Sequence, residues 1–231
     1  MPELVIAIDG PSGSGKSSVS RRVATALGLA YLDTGAIYRA ATWWCLHEGV
    51  DLDDPAAVLA AVRRMPLHLG VDPACPGVRV GDEDVAAAIR TPEVTGAVSV
   101  VSSNLDVRAE LRERQQRAIA DEGLPGSFSG GRGIVAEGRD ITTVIAPDAD
   151  VRVLLTASEE ARLARRAREV HGTADASAVE ATRRFVVQRD KVDSAVTSFL
   201  EAADGVVTVD SSELDLEQTV QAVLDLVERR R

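Results

Sequence analysis

Near its start the chain places Gly10-Pro11-Ser12-Gly13-Ser14-Gly15-Lys16-Ser17 between an apolar run and a helical pattern, and no other stretch constrains the fold as much. It fits the spacing G-x-x-x-x-G-K-[ST] without a gap. Leu4-Val5-Ile6-Ala7-Ile8 is continuously apolar, as a parallel strand buried on both faces requires. After the loop, apolar residues fall at Val19, Val23, Ala24 and Leu27, which is helical spacing, and Gly28 stands where a C-cap glycine belongs. Strand, glycine-rich loop and helix together make a phosphate cradle. Without Cβ atoms, Gly10, Gly13 and Gly15 let backbone N–H groups approach phosphate oxygens and reach left-handed angles. The helix N-terminus adds partial positive charge at the same point. Lys16 supplies a full charge to β- and γ-phosphates, and the Ser17 hydroxyl suits Mg²⁺. The residues expected to hold ATP here are Gly10, Pro11, Ser12, Gly13, Ser14, Gly15, Lys16, Ser17 and Ser18.

The chain has 231 residues, enough for one sizeable core with an inserted subdomain or for two small domains. A net charge of −10 argues against general affinity for nucleic acid or an anionic membrane, both of which need a basic surface. Cys45 and Cys75 cannot form a disulfide framework and sit in no metal-ligand spacing. No run approaches the length of a membrane span, and no basic segment leads into an apolar targeting region. A cytoplasmic protein in a reducing compartment is expected.

Beyond the first helix the pattern alternates. Leu29–Leu32 reads as a second strand ending at Asp33-Thr34-Gly35, a position where ligand groups gather in open α/β sheets. A helix is expected from about Ala36 to Glu48, and another behind Asp54-Pro55 through Arg64. From Leu67 to Ala86 two short antiparallel strands, Leu67–Val71 and Val78–Val80, interrupt the alternation and read as an insertion. Helices are expected from Pro92 to about Ser102 and from about Val107 to Ala120, with Asp121–Gly133 a mobile connection. Then come a short core strand at Ile134–Ala136, another at Val151–Leu155, and helices over about 158–170 and 178–191. Gly205–Val209 reads as a last core strand, and an amphipathic helix closes the chain from Leu214.

The loop alone does not name a reaction. A GTPase needs an Asn-Lys-x-Asp segment, which is missing, and the large ATPases need more chain. Small kinases remain, and these need positive charge around the transferred phosphoryl group. Arg39, Arg108, Arg139 and Arg189 recur at or near strand ends, and a phosphorylated acceptor accounts for so many, since arginine holds phosphate with paired hydrogen bonds. Arg162, Arg165, Arg166 and Arg168 form either a closing lid or a surface helix with partners such as Glu159 and Glu169.

At these residues the chain resembles the bacterial cytidylate kinases, from the P-loop to the last helix. The segments that carry the likeness are Ala7–Pro11, Tyr31-Leu32-Asp33-Thr34-Gly35-Ala36-Ile37-Tyr38-Arg39, Ile89-Arg90-Thr91-Pro92-Glu93-Val94, Val107-Arg108 with Gln116-Arg117, Val135-Ala136-Glu137-Gly138-Arg139-Asp140, and Arg189-Asp190-Lys191-Val192-Asp193-Ser194. The resemblance implies an α/β P-loop kinase with a five-stranded parallel sheet, helices on both faces, a small strand-rich insert and a short lid. One domain would contain the acceptor region, about 36–96, and the lid, about 158–178. It implies transfer of the γ-phosphoryl group of Mg-ATP to CMP or dCMP by a monomer, with Lys16, Arg139, Arg189 and Asp140 as the catalytic set. Arg39, Arg139 and Arg189 would hold the CMP phosphate; Thr34, Ser99, Arg108 and Asp140 would complete the nucleotide site, the last three reading cytosine. Asp193 would contact the sugar, and Arg162, Arg165 and Arg166 would close over ATP. Other acceptors, such as UMP or a sugar acid, and a regulatory protein without catalysis stay open as alternatives.

Two departures stand out. The family usually has Arg-Asp-Ile-Gly-Thr where this chain has Arg139-Asp140-Ile141-Thr142-Thr143. It also carries an arginine about three residues after the sugar-contacting Asp, then Ser-Pro-Leu. Here Asp193 is followed by Ser194-Ala195-Val196-Thr197-Ser198-Phe199-Leu200: the arginine is missing and Phe199 replaces the proline. That puts sugar recognition in question and leaves the phosphate and donor residues intact.

Overall fold

Short-range rules place most of the elements. The computed structural model describes residues 2–194 and 199–230; in the helix 176–194 it describes all side chains but those of Arg184, Phe185, Gln188, Arg189 and residues 191–194. In order the elements are β1 (Leu4–Asp9), α1 (Lys16–Leu27), β2 (Ala30–Asp33), α2 (Thr34–His47), α3 (Pro55–Arg64), β3 (Leu67–Leu69), β4 (Val78–Val80) and β5 (Glu83–Asp84). There follow α4 (Pro92–Ser103), α5 (Leu105–Asp121), β6 (Gly133–Gly138), β7 (Val151–Thr156), α6 (Glu159–His171), α7 (Ala176–Ser194), β8 (Val207–Asp210) and α8 (Leu216–Glu228).

Side-chain caps set several starts. The Asp33 carboxylate accepts the Ala36 N–H at 3.0 Å, so α2 begins at Thr34, two residues before the expected Ala36. Asn104 accepts the N–H groups of Asp106 and Val107, and α5 likewise opens early, at Leu105. Asp54 caps α3, Thr91 caps α4 and Ser158 caps α6, while Asp215 and Gln218 form a reciprocal capping box on α8. Gly28 ends α1 in the left-handed conformation, φ 64°.

Five strands form one sheet in the order β2-β6-β1-β7-β8, and a separate antiparallel sheet has the order β3-β4-β5. β1 runs parallel to β7 with Asp9 opposite Leu154, and β7 runs parallel to β8 with Thr156 opposite Asp210. The loops after β1, β7 and β8 therefore leave from the same, carboxyl end of the sheet, where the P-loop begins. Among the described residues no helix is long and apolar enough to cross a membrane.

The chain divides into two compact units: Leu29–Ile134 with the residues ahead of Leu4, and Leu4–Gly28 with the chain from Val135 onward. The first has its core on α2, where Ile37, Ala40, Ala41 and Cys45 are buried, together with Val58, Val62, Ile89, Val98 and Leu111. In the second, Ile6, Ala7 and Ile8 of β1, Val135 and Ala136 of β6 and Val153 and Leu155 of β7 are wholly buried, as the unbroken apolar runs require.

Three expectations need correction. Gly205–Val209 was expected as a core strand, but β8 spans Val207–Asp210 and buries only Val209, because it lies at the sheet edge. Asp121–Gly133 reads as a mobile connection, yet it holds a hydrogen-bonded core: buried Glu122 accepts the Ser129 N–H through Oε2 and the Ser129 hydroxyl through its carbonyl, and that hydroxyl oxygen accepts the Gly133 N–H. Finally, β5 and a π-helical turn at Ile141–Ile145 form where no strand or helix was expected.

Candidate active site

The P-loop leaves β1 directly. Gly13 and Gly15 adopt φ 79° and 91°, angles that glycine reaches without the Cβ clash of other residues. Gly10 passes close to β7: a Cβ there would lie 2.2 Å from the Leu155 carbonyl oxygen. Gly15 caps α1 without a side chain, so nothing from a capping residue competes for the first-turn donors. Ser14 Oγ is buried and has no hydrogen-bond partner among the described residues. An orphaned hydroxyl and an uncapped helix start within a glycine loop are the features a bound phosphate satisfies. Lys16 Nζ lies 3.5 Å from the Pro11 carbonyl oxygen, folded along its own loop, and Ser17 and Ser18 are exposed in the first turn of α1. Among the described residues no group of three or more His, Cys, Asp or Glu is placed to hold a metal. Ser17, in the first turn beside the loop, offers a hydroxyl oxygen of the kind that a largely hydrated Mg²⁺ accepts next to phosphate oxygens.

Two arginines of α6 reach the loop. Arg162 Nη1 donates to the Ser12 carbonyl at 3.0 Å and to Asp190 Oδ2 at 2.5 Å. Arg165 donates to the Ser14 carbonyl at 3.3 Å and to the hydroxyl and carbonyl of Ser211, just past β8. Arg166, one turn from Arg162, pairs with Glu169 of its own helix at 2.7 Å. Expected together, Arg162 and Arg165 touch the P-loop and Arg166 does not.

At the end of β6, Arg139 donates to Asp190 Oδ1 at 3.0 Å, and its guanidinium lies 4.5 Å from the centroid of the Phe199 ring. Asp190 Oδ1 also accepts the Ser12 N–H of the P-loop at 3.2 Å. Asp140 is buried, and its carbonyl accepts the N–H groups of Val144 and Ile145 in the π-helical turn. Asp9, the last residue of β1, accepts from the Ile141 N–H (2.9 Å), the Thr142 N–H (2.8 Å) and the Thr142 hydroxyl (2.7 Å). Burial pushes the Asp9 carboxyl above its usual range against these three donors, and the nearby Asp140 charge adds to the push. Thr142, singled out in the sequence as a departure from the expected glycine, thus supplies a hydroxyl hydrogen bond that a glycine lacks.

In the other unit, Arg39 is buried, and its Nη1 donates to the Ile89 carbonyl at 3.3 Å and to Thr95 Oγ1 at 3.0 Å. Arg108 donates to the Ser102 carbonyl at 3.4 Å and lies 5.8 Å from the centroid of the Tyr38 ring. Thr34 is buried at the first position of α2, and Ser99 is half-buried on α4, its carbonyl accepting the Ser102 hydroxyl. α2 therefore carries Thr34, Tyr38 and Arg39 along one helix. The side chains of Arg189 and Asp193, and residues 195–198 with the missing family arginine, lie outside the described residues.

Sequence reasoning passed over Asp190, Asp9, Thr142, Ser211 and Phe199 as site residues. For Asp190 a signal existed, a carboxylate next to Arg189 inside a family segment; for Ser211, in a loop after an edge strand, none did.

Against this geometry, a relative from Streptomyces coelicolor called cytidylate kinase is 50% identical over 231 residues, covering 100% of this chain and 95% of that protein. One of the same name from Streptomyces avermitilis is 49% identical over 232 residues, with the same coverage. Among solved structures, an uncharacterised protein from Eubacterium ventriosum aligns over 97% of this chain and 98% of its own, with a TM-score of 0.53 at 10% identity, a likeness of fold alone. The family model for cytidylate kinase matches residues 6–229, nearly the whole chain, and the chain belongs to the cytidylate kinase family.

Proposed function

We propose that this protein transfers the γ-phosphoryl group of Mg-ATP to CMP or dCMP, giving ADP and CDP or dCDP, as a monomer in the cytoplasm. One observation carries the reading: a P-loop contacted by Arg162 and Arg165, in a chain whose whole length matches the family. Gly10–Gly15, Lys16 and Ser18 hold the donor phosphates through backbone donors and the Lys16 charge. Ser17 holds Mg²⁺, whose chemistry is to neutralise charge on the β- and γ-oxygens. Arg162, Arg165 and Arg166 belong to the closing lid of about 158–178, with the first two acting at the loop itself.

On the acceptor side, in the region of about 36–96 and the helices after it, buried Arg39 is a cation held in one orientation by Ile89 and Thr95. With Arg139 and Arg189 it holds the CMP phosphate by charge-assisted bonds. Thr34 supports the nucleotide, and Asp193 contacts the sugar. Ser99, Arg108 and Asp140 read cytosine: the N4 amine needs an oxygen acceptor, and O2 and N3 need a fixed donor. Uracil presents an O4 acceptor in place of the amine, so a carboxylate facing it repels it. Lys16, Arg139, Arg189 and Asp140 form the catalytic set. None acts as a strong base, because positioning and charge stabilisation supply most of the rate in phosphoryl transfer. A net charge of −10 fits small-molecule substrates rather than nucleic acid or membrane partners.

The test is ADP release with Mg-ATP across CMP, dCMP, UMP, AMP and shikimate. Turnover should appear with CMP and dCMP and be marginal with the rest. Preference for another acceptor overturns the substrate assignment, and ATP binding without turnover of any acceptor overturns catalysis.

A further inference from the structure

Asp190 is assigned no part in the reading above, yet three groups of that machinery converge on its carboxylate. Oδ1 accepts the P-loop Ser12 N–H at 3.2 Å and Arg139 Nη1–H at 3.0 Å, and Oδ2 accepts Arg162 Nη1–H at 2.5 Å. All three side chains are largely shielded from water: Asp190 is 10% exposed, and Arg139 and Arg162 are 13% exposed. Besides the two arginines, the carboxylate holds a P-loop amide, the kind of donor that the loop offers to phosphate. Two guanidinium groups and a backbone N–H around one anion are a phosphate's coordination set, filled here by a side chain.

We infer that Asp190 is a positioning residue that stands in for a phosphoryl group: its carboxylate gathers Arg139 and Arg162 at the P-loop until the triphosphate of ATP displaces it. Two negative groups cannot share this set in a shielded site without strong repulsion, so triphosphate and carboxylate exclude each other. Arg162 also holds the Ser12 carbonyl at 3.0 Å, so it stays beside the loop when the carboxylate leaves. Arg139, resting on the Phe199 ring, is likewise kept in place by a contact that does not involve Asp190. The arginines are thereby oriented before substrate arrives. The cost is a weaker apparent ATP affinity, because only the carboxylate-released fraction is competent to bind.

The inference rests on the P-loop being the ATP site, and its test reads Mg-ATP binding with no acceptor present, by titration calorimetry. Asp190→Asn keeps the size of the side chain and removes the competing charge; it should bind Mg-ATP about tenfold more tightly, the scale of one charge-assisted bond no longer displaced. Asp190→Glu keeps the charge and should stay much nearer the parent protein. A purely structural role predicts the opposite sign, looser ATP in Asp190→Asn. Unchanged or looser binding in a variant with a normal melting transition overturns the inference. If the parent protein binds no Mg-ATP at all, the ATP-site reading fails instead. Should Asp190→Asn not fold, the parent protein still decides: the side-chain nitrogen resonances of both Arg139 and Arg162 should shift on adding Mg-ATP and not on adding adenosine. Resonances unmoved by Mg-ATP overturn the inference.

Discussion

Replacing Gly13 with alanine separates two costs that a P-loop glycine ordinarily hides. At φ 79° an added Cβ brings the strain of a left-handed residue, about 1–2 kcal/mol. It also points at the next element. The Cβ would lie 2.5 Å from the Arg162 carbonyl oxygen, 3.0 Å from its carbon and 3.1 Å from its Cα, all backbone atoms of α6. No rotamer change relieves such a contact, so the loop and the first turns of α6 must move apart, loosening the bonds of Arg162 and Arg165 to the P-loop. Overpacking of this kind costs about 1–3 kcal/mol more. Gly15→Ala is the control: its φ is 91°, and a Cβ there meets nothing within 4 Å. Gly13→Ala should therefore be less stable than Gly15→Ala by about 1–3 kcal/mol, read from urea denaturation without nucleotide. Equal midpoints for the two variants would refute the packing of α6 against the loop.

Further outcomes follow from single features of the structure. Gln115 is fully buried, with neither amide atom partnered among the described residues, so Gln115→Met should raise stability by about 1 kcal/mol in urea denaturation; a loss would show that the amide is satisfied in solution. Burial raises the Asp9 carboxyl above its ordinary 3.8, so the folded state binds this proton more tightly than the unfolded chain does. Its contribution is then full below about pH 3.8 and is lost as pH rises through the raised value; the stability of the parent protein relative to Asp9→Asn should grow as pH falls from neutral, and a gap that shrinks contradicts the account. Burial pushes the Cys45 thiol up to about 11, and Cys75 is exposed, so native protein at pH 8 should react with iodoacetamide at Cys75 alone, checked by peptide mass spectrometry. Arg108→Met should cut the preference for CMP over UMP more than it weakens ATP binding, and equal losses for both acceptors would make Arg108 a structural residue or a general phosphate contact.

The strand, P-loop and first helix were legible because their signals lie within a few residues of one another: an apolar run, glycines that permit φ near 79° and 91°, and a helical spacing closed by Gly28. The same holds for the helices behind Asp54 and Thr91, whose caps act over two or three residues. Asp33 shows the limit of such reading, since a carboxylate at a strand end serves equally as a ligand or as the N-cap it is. Among the arginines of α6, Arg162 and Arg166 lie one turn apart and are alike in any local reading; only the packed structure sends one to Ser12 and Asp190 and pairs the other with Glu169. Asp190 meets Ser12 across 178 positions, and Arg139 meets Phe199 over a sequence separation that no short-range rule spans. The Thr142 hydroxyl on Asp9 is a contact of the same kind, 133 positions apart. Local propensity and periodicity determined the elements. Which charged groups share a low-dielectric space was decided only when the chain closed on itself, because charge pairing depends on distances of a few ångströms between segments that the sequence holds far apart.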